Sequence, residues 1–291
     1  MTDGTALAPK ARSSRRPAIV RAVTVAPHGL WCLLFILAPL AFVVYYTFTD
    51  PSGAFTMANL KEVFSSAYLK ILKRSVLLAL ESTAICLLLA YPLALAVARL
   101  KPRNQSLAIL LFMLPMWINL LIRTYCLTTL MDGNGLVNQL FVFIGIGRIP
   151  LMNNTGAVIF GMVYNYLPYM ILPIYNVMSR LDKSVMEAAE DLGCNAFQRV
   201  RRVVFPLTLP GIISGIIMVF VPSVSTFYIS AKMGGPGDFM IGDLIESQIH
   251  SQNSNLPTAA ALSLVLMAVI LVSMLILNRF SDDEEGGSML V

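Results

Sequence analysis

Six long apolar runs dominate the chain, at residues 30–48, 75–98, 107–130, 156–177, 209–231 and 258–278. A helix rises ~1.5 Å per residue and needs roughly 20 apolar residues to cross the ~30 Å hydrocarbon core of a bilayer, where lipid offers its backbone no hydrogen-bond partner. The runs therefore predict an all-α membrane protein with six transmembrane helices. Only 13% of the residues are charged and 57% are hydrophobic, against about 25% charged in soluble domains. The net charge of +5 does not point to nucleic acid, because the basic residues form short clusters between apolar runs rather than one stripe interleaved with aromatics. Cys32, Cys86 and Cys126 lie in apolar stretches and Cys194 in a basic segment, so neither a disulfide framework nor metal-ligand spacing follows. His28 and His250, the only histidines, are too far apart in this topology to form a metal pair.

Six spans place both termini on one side, and the loops then divide into two sets. The terminal side carries Lys10, Arg12, Arg15, Arg16, Arg21, Arg99, Lys101, Arg103, Arg180, Lys183, Arg199, Arg201, Arg202 and Arg279, fourteen in all. The opposite side carries six: Lys61, Lys70, Lys73, Arg74, Arg148 and Lys232. Positive charge collects in the cytoplasm, so both termini are expected there. Residues 1–27 read as a disordered basic tail. The first apolar run is long enough to span and has no small-residue cleavage site after it, which argues against a removed signal peptide. Residues 28–280 read as the transmembrane domain and residues 281–291 as an acidic cytoplasmic tail. On the outer side, residues 59–74 have apolar positions at helical spacing and are expected to lie along the membrane surface. The outer segments 131–155 and 232–257, rich in Gly and Asn, offer a docking surface or simply solvated connections. No repeat of 20–50 residues is present, so a repeat-built architecture is excluded.

The long polar cytoplasmic segment 181–210 reads LDKSVMEAAEDLGCNAFQRVRRVVFPLTLP. Asp182 or Ser184 can cap a first helix, and Ser184 with Glu187 has capping-box spacing. Gly193 supplies a stop, because glycine adopts the left-handed conformation at low cost. Asn195 can then cap a second, basic helix ending before Pro206. A helix, a tight turn and a second helix at the membrane face follow within residues 181–206.

Glu187, Ala188 and Ala189, then Gly193, then Val203 and the Phe205-Pro206 pair resemble the EAA motif of bacterial ABC importer permeases, with Val for the usual Ile and Phe for the usual Leu. The resemblance implies that the first helix docks in a groove of a cytoplasmic ATPase through Glu187, Ala188, Ala189, Asp191, Gly193 and Pro206. It extends over nearly the whole chain: LPMWINLLIRTYCL at 114–127, VYNYLPYMILPIY at 163–175 and Met233-Gly234-Gly235 with Leu244 look like the spermidine/putrescine branch of these permeases. That similarity implies a type I (MetI-like) importer permease fold. It also implies as partners a second homologous permease, two ATP-binding cassette subunits and an extracytoplasmic solute-binding protein.

Charged residues inside spans are costly and suggest function. Glu81 and Arg123 lie about 9 Å and about 10 Å below the outer ends of their spans at ~1.5 Å per residue. Matching depth fits a buried ion pair stapling two helices, and it equally fits direct contact with substrate. Trp117, Asn119, Tyr125, Tyr164, Tyr166, Tyr169 and Tyr228 could line a path, because aromatic faces attract ammonium groups at ~0.5–2 kcal/mol each without trapping them. Their alternative is the interfacial aromatic belt or ordinary packing. Tyr164 and Tyr166 cannot share one helix face. Ser223, Ser225 and Thr226 are polar enough to line a cavity and also typical of helix contacts.

No Gly-x-x-x-x-Gly-Lys-Ser/Thr phosphate loop occurs in the sequence. ATP and Mg are thus expected on separate ATPase subunits, and this chain is a mechanical subunit, with no cofactor of its own, that works by alternating access. The cargo implied by the resemblance is a small cation, a polyamine such as spermidine or putrescine, with another small solute of the same branch as the alternative. An ion-coupled secondary transporter would need more intramembrane acidic residues than Glu81, and a membrane-embedded enzyme would need clustered His, Asp or Cys.

Overall fold

The computed structural model describes residues 25–50, 53–250 and 255–287. The expected N-terminal tail lies outside this range up to residue 24, as do the last four residues of the chain. The described residues are helical apart from loops and one isolated bridge between Thr49 and Phe55.

The first helix, α1 (Val25–Thr47), starts earlier than the sequence suggested. Its π-turn at Leu33–Leu37 precedes Pro39, whose ring crowds the carbonyl four residues back and lacks an N–H, so the turn before it widens. The expected surface helix over 59–74 does not form as one element. It divides into α2 (Ala58–Val63) and the opening of α3 (Ser66–Ala98), where Ser65 leaves the helical region and restarts the chain. Apolar periodicity was read correctly there, but it continues into the second span.

The third span is broken. After α4 (Pro102–Met113) the chain tightens into a 3₁₀ turn at Leu114–Trp117, Ile118 is extended, and the Asn119 side chain caps α5 (Leu120–Met131) by accepting from the Leu121 N–H at 2.8 Å. Short α6 (Leu136–Phe143) follows, and the segments Pro102–Trp117 and Leu120–Phe143 meet at 93°. Unbroken α7 (Thr155–Met178) is the fourth span, begun by an Asn154 side chain that accepts from the Ala157 N–H. The segment expected in the cytoplasm forms the pair α8 (Lys183–Asp191) and α9 (Ala196–Leu207), the latter with a π-turn at Val200–Val204 just before Pro206. It meets α10 (Leu209–Val224) at 68°. The span expected to reach residue 231 stops at Val224 and resumes as α11 (Tyr228–Met233). Then come α12 (Ile241–His250) and α13 (Leu256–Gly287). The helix thus continues through residues 281–287, where a free tail was expected. Four helices are long and apolar enough to cross a membrane alone, and six crossings result when each bent pair counts as one.

The main core is the meeting of α3, α7 and α10, with Leu78, Cys86, Ala90, Met162, Met170, Ile174, Ile212 and Val219 buried together. Without a hydrophobic driving force between helices in lipid, small residues allow the close packing that holds them. At Gly211 an added Cβ would lie 2.8 Å from the Pro173 carbonyl, so only glycine permits this approach of α10 to α7. A second cluster of Val63, Ala79, Phe220, Ile241, Ala261 and Leu262 joins α13 and α12 to α3 and α10. The most apolar window of α7 is 61% buried, whereas that of α1 buries nothing and its main packing partner is α13.

Candidate coupling surface and transport seam

At one end of the bundle, α8 begins where the Asp182 carboxylate accepts from the Ser184 N–H at 3.0 Å, so Asp182, not Ser184, is the cap. The helix closes in a Schellman arrangement: Cys194 N–H donates to the Ala189 carbonyl at 3.0 Å and Gly193 N–H to the Glu190 carbonyl at 2.8 Å. Gly193 has φ of 78°, the left-handed value that favours glycine. The capping box forms at the next helix, where Asn195 and Gln198 exchange backbone-to-side-chain bonds. A Glu190–Arg199 ion pair ties the two helices.

Glu187, Ala188, Asp191 and Pro206 are exposed here and Ala189 is buried. The tip of this hairpin also exposes two large apolar side chains, Leu192 at 85% and Phe197 at 72%. Sequence reasoning passed over both, although apolar residues flanking a glycine turn in a polar segment were the available signal. Phe205, beside Pro206, sets its ring 5.8 Å from that of Tyr91 and so links the hairpin to α3.

Within the membrane, Arg123 is 5% exposed and donates through Nη1 to the Pro115 carbonyl at 3.2 Å. The guanidinium thus bridges the break in the third span. The expected ion pair does not form: Glu81 is exposed on α3 and has no ion-pair partner among the described residues. Glu81 lies on an exposed face of its helix, whereas Arg123 is buried beside the break in the third span. Thr124 and Asn165 are fully buried, with Asn165 Nδ2 donating to the Thr124 hydroxyl at 3.3 Å and to the Gly161 carbonyl at 2.8 Å. Tyr166 is buried, its hydroxyl 3.4 Å from the Pro222 carbonyl and its ring edge-on to Tyr169 at 6.4 Å. With Ser223 and Thr226 buried as well, a polar seam runs across α5, α7 and the α10–α11 break.

Trp117, Tyr125 and Tyr164 instead point outward at 79%, 62% and 41% exposure. Tyr164 and Tyr166 indeed face opposite ways. Asn119 is occupied as a helix cap. Tyr228 is half-buried, with the Lys232 ammonium 5.9 Å from its ring centre. The candidates thus separate into a buried group, Arg123 with Tyr166, and an outward group, Glu81, Trp117, Tyr125 and Tyr164.

The opposite end of the bundle from α8 holds a clasp that sequence reading missed. Arg74 on α3 pairs with Asp238, donates to the Thr155 hydroxyl at 3.0 Å and donates to the Gly237 carbonyl at 2.8 Å. The Thr155 hydroxyl and the Gly235 N–H each donate to Asp238 at 2.8 Å. Burial works to raise the Asp238 carboxyl, but these donors and the Arg74 charge outweigh it and hold it below its ordinary value. Asp243 differs. Burial pushes its carboxyl up to about 6, against the Met240 N–H and Ser230, with Glu246 adding to the rise.

Residues 87–283 match the family described as binding-protein-dependent transport system inner membrane component. The spermidine/putrescine transport system permease proteins PotB of Haemophilus influenzae and Escherichia coli are each 34% identical over 259 residues. The matched stretch covers 86% of this chain and 91% and 94% of theirs. A crystal structure of a bacterial alginate ABC transporter, in complex with an alginate pentasaccharide-bound periplasmic protein, contains a chain similar in fold. Its TM-score is 0.78 at 16% identity, with 94% of this chain and 97% of that one covered.

Proposed function

Because this chain belongs to the family of binding-protein-dependent transport system inner membrane components and has the type I importer permease fold, we propose that it is the membrane subunit through which a polyamine such as spermidine or putrescine is imported. The observation that carries the cargo is the 34% identity, over 86% of this chain, to permeases of spermidine/putrescine systems. ATP and Mg are bound by two separate cassette subunits, a second homologous permease completes the passage, and an extracytoplasmic binding protein delivers the solute to the outer loops. The chain lies in a bacterial inner membrane with both termini in the cytoplasm.

In this reading α8 is the handle. Glu187, exposed beside small Ala188 and above buried Ala189, meets a basic group of the ATPase, and Leu192 and Phe197 enter its apolar groove. Asp191 borders that contact, Gly193 sets the turn, and Pro206 transmits displacement to α10 at the 68° bend. A carboxylate on the exposed face of a span is costly against lipid, so Glu81 faces the shared passage and attracts the cationic cargo. Trp117, Tyr125 and Tyr164 offer aromatic faces on the way. Arg123, Asn119, Tyr166, Tyr169 and Tyr228 hold the broken helices in place, so that closure of the ATPases rocks the bundle between inward-open and outward-open states.

The test is uptake of labelled putrescine and spermidine into proteoliposomes holding the complete complex. ATP-dependent uptake that requires the cassette subunits and binding protein is expected. Uptake driven by an ion gradient without ATP, or a complex whose ATPase and transport ignore both polyamines, would overturn the proposal.

A further inference from the structure

The bend between α9 and α10 is weakly held by its own backbone. Pro206 and Pro210 stand on either side of it, and Pro210 has no N–H to give the Pro206 carbonyl four residues back. Thr208, at the corner, shares one N–H between the Val204 carbonyl at 2.9 Å and the Phe205 carbonyl at 3.2 Å. Away from this junction the hairpin makes few contacts with the spans. Val204 is buried in the main core, but apolar packing has no direction. A push on α8 therefore turns the hairpin about its corner without bending a span, unless a side chain takes up the motion.

Tyr91 of α3 is placed to take it up. Its ring centre lies 5.8 Å from that of Phe205, with the planes tilted by 56°, a favourable arrangement for an aromatic pair. Its hydroxyl is buried beside the Thr208 side chain without closing a hydrogen bond to any described residue. Thr208 is itself fully buried and gives its hydroxyl proton to the Phe205 carbonyl at 3.1 Å, so its oxygen keeps lone pairs that can accept from Tyr91. A small movement of the corner closes that bond, and a buried, unbonded hydroxyl gains by it. The next residue, Pro92, lies inside α3 and leaves the Leu88 carbonyl without its helical donor. Force on Tyr91 thus arrives where α3 bends most easily.

We infer that Tyr91 is a positioning residue for transport, the side chain that carries displacement of the hairpin into α3 and bends that span at Pro92. Phe205 presses on the ring, and Thr208 engages the hydroxyl as the corner closes. This route is additional to the one along α10, so movement of the hairpin reaches two of the spans that meet in the main core. The inference rests on the coupling role proposed for α8 and does not depend on which solute is carried.

Two readouts on the complete complex in proteoliposomes test it: putrescine imported per ATP hydrolysed, and hydrogen exchange of residues 86–98 with and without ATP and vanadate. From the strength of an aromatic pair, Tyr91→Leu should lower the import per ATP about fivefold. Its ATPase rate and Tm should change little, and the ATP-dependent exchange near Pro92 should disappear. Tyr91→Phe, which keeps the ring and loses only the hydroxyl, should fall between Tyr91→Leu and the native chain. Phe205→Leu breaks the same contact from the other side and should lower the ratio equally, with the double variant no worse than either single one. Unchanged coupling in both single leucine variants, additive losses in the double variant, or a native complex whose α3 exchange ignores ATP would overturn the inference. A native complex that imports no putrescine but shows the ATP-dependent exchange, lost in Tyr91→Leu, would remove the proposed cargo and support the role of Tyr91.

Discussion

The two ends of the bundle are fastened differently. At the outer end, Arg74, Thr155 and Asp238 join α3, α7 and the loop after α11 through one nearly buried carboxylate that accepts from three donors. At the cytoplasmic end, α3, α4 and α7 are joined by neutral groups: Gln105 donates to the Ala98 and Leu100 carbonyls at 2.9 Å, and the Tyr175 hydroxyl donates to Gln105 at 3.2 Å. Beyond them α8 projects on few tertiary contacts, next to a cavity. Charge-assisted bonds to a buried carboxylate are roughly twice as strong as neutral ones, so the end held by Arg74 and Asp238 is the more firmly fastened. In the function proposed above, the hairpin end is the part that moves.

The largest test of the contrast separates function from stability. Glu187→Lys should lower ATP-dependent transport more than tenfold with an unchanged Tm, since the carboxylate is exposed and its loss unfolds nothing; normal transport would show that α8 is not the point of coupling. Asp238→Ala should cost about 2–3 kcal/mol, because it removes the carboxylate partner of Arg74 and leaves the Thr155 hydroxyl and the Gly235 N–H without an acceptor. Denaturation of purified protein measures this, and a cost no greater than that of Gln105→Ala would break the comparison. Gly193→Val forces a branched side chain into positive φ at about 1–2 kcal/mol, read as a lower Tm together with weaker ATPase association. Gln105→Ala should cost only about 1 kcal/mol.

The smallest effect is on pH dependence. Asp243 binds its proton more tightly folded, near pH 6, than unfolded, near 4, so its contribution to stability rises as pH falls through that window and is smallest at neutral pH. Asp238, with its value lowered by folding, does the reverse: its contribution is present above its unfolded value and is lost only in stronger acid. Asp243→Asn should therefore flatten the Tm profile between pH 4 and 6 and leave the acid limb in place. An unchanged slope would remove Asp243 as its source.

Hydropathy made the number of crossings legible, because lipid imposes a length on every span. The helix–turn–helix over residues 183–207 was also legible, since Gly193, Asn195 and Pro206 act through local backbone rules. What escaped was set by rotation about helix axes or by distance along the chain. Arg74 and Asp238 are 164 residues apart, and each reads as an ordinary loop charge. Glu81 and Arg123 each sit within an apolar run, but the direction in which a helix presents a side chain depends on neighbours a single sequence does not reveal. The break at Ile118 has a related cause. Pro115 alone is compatible with a kinked but continuous helix, and Asn119 resembles a solute-binding residue until its cap is seen.

The nearly complete exposure of α1 has a consequence for how such a chain can change. A helix that packs chiefly on α13 and buries almost none of its surface contributes little to holding the rest of the bundle together. Exchanging it for another greasy helix of equal length should leave the remainder assembled.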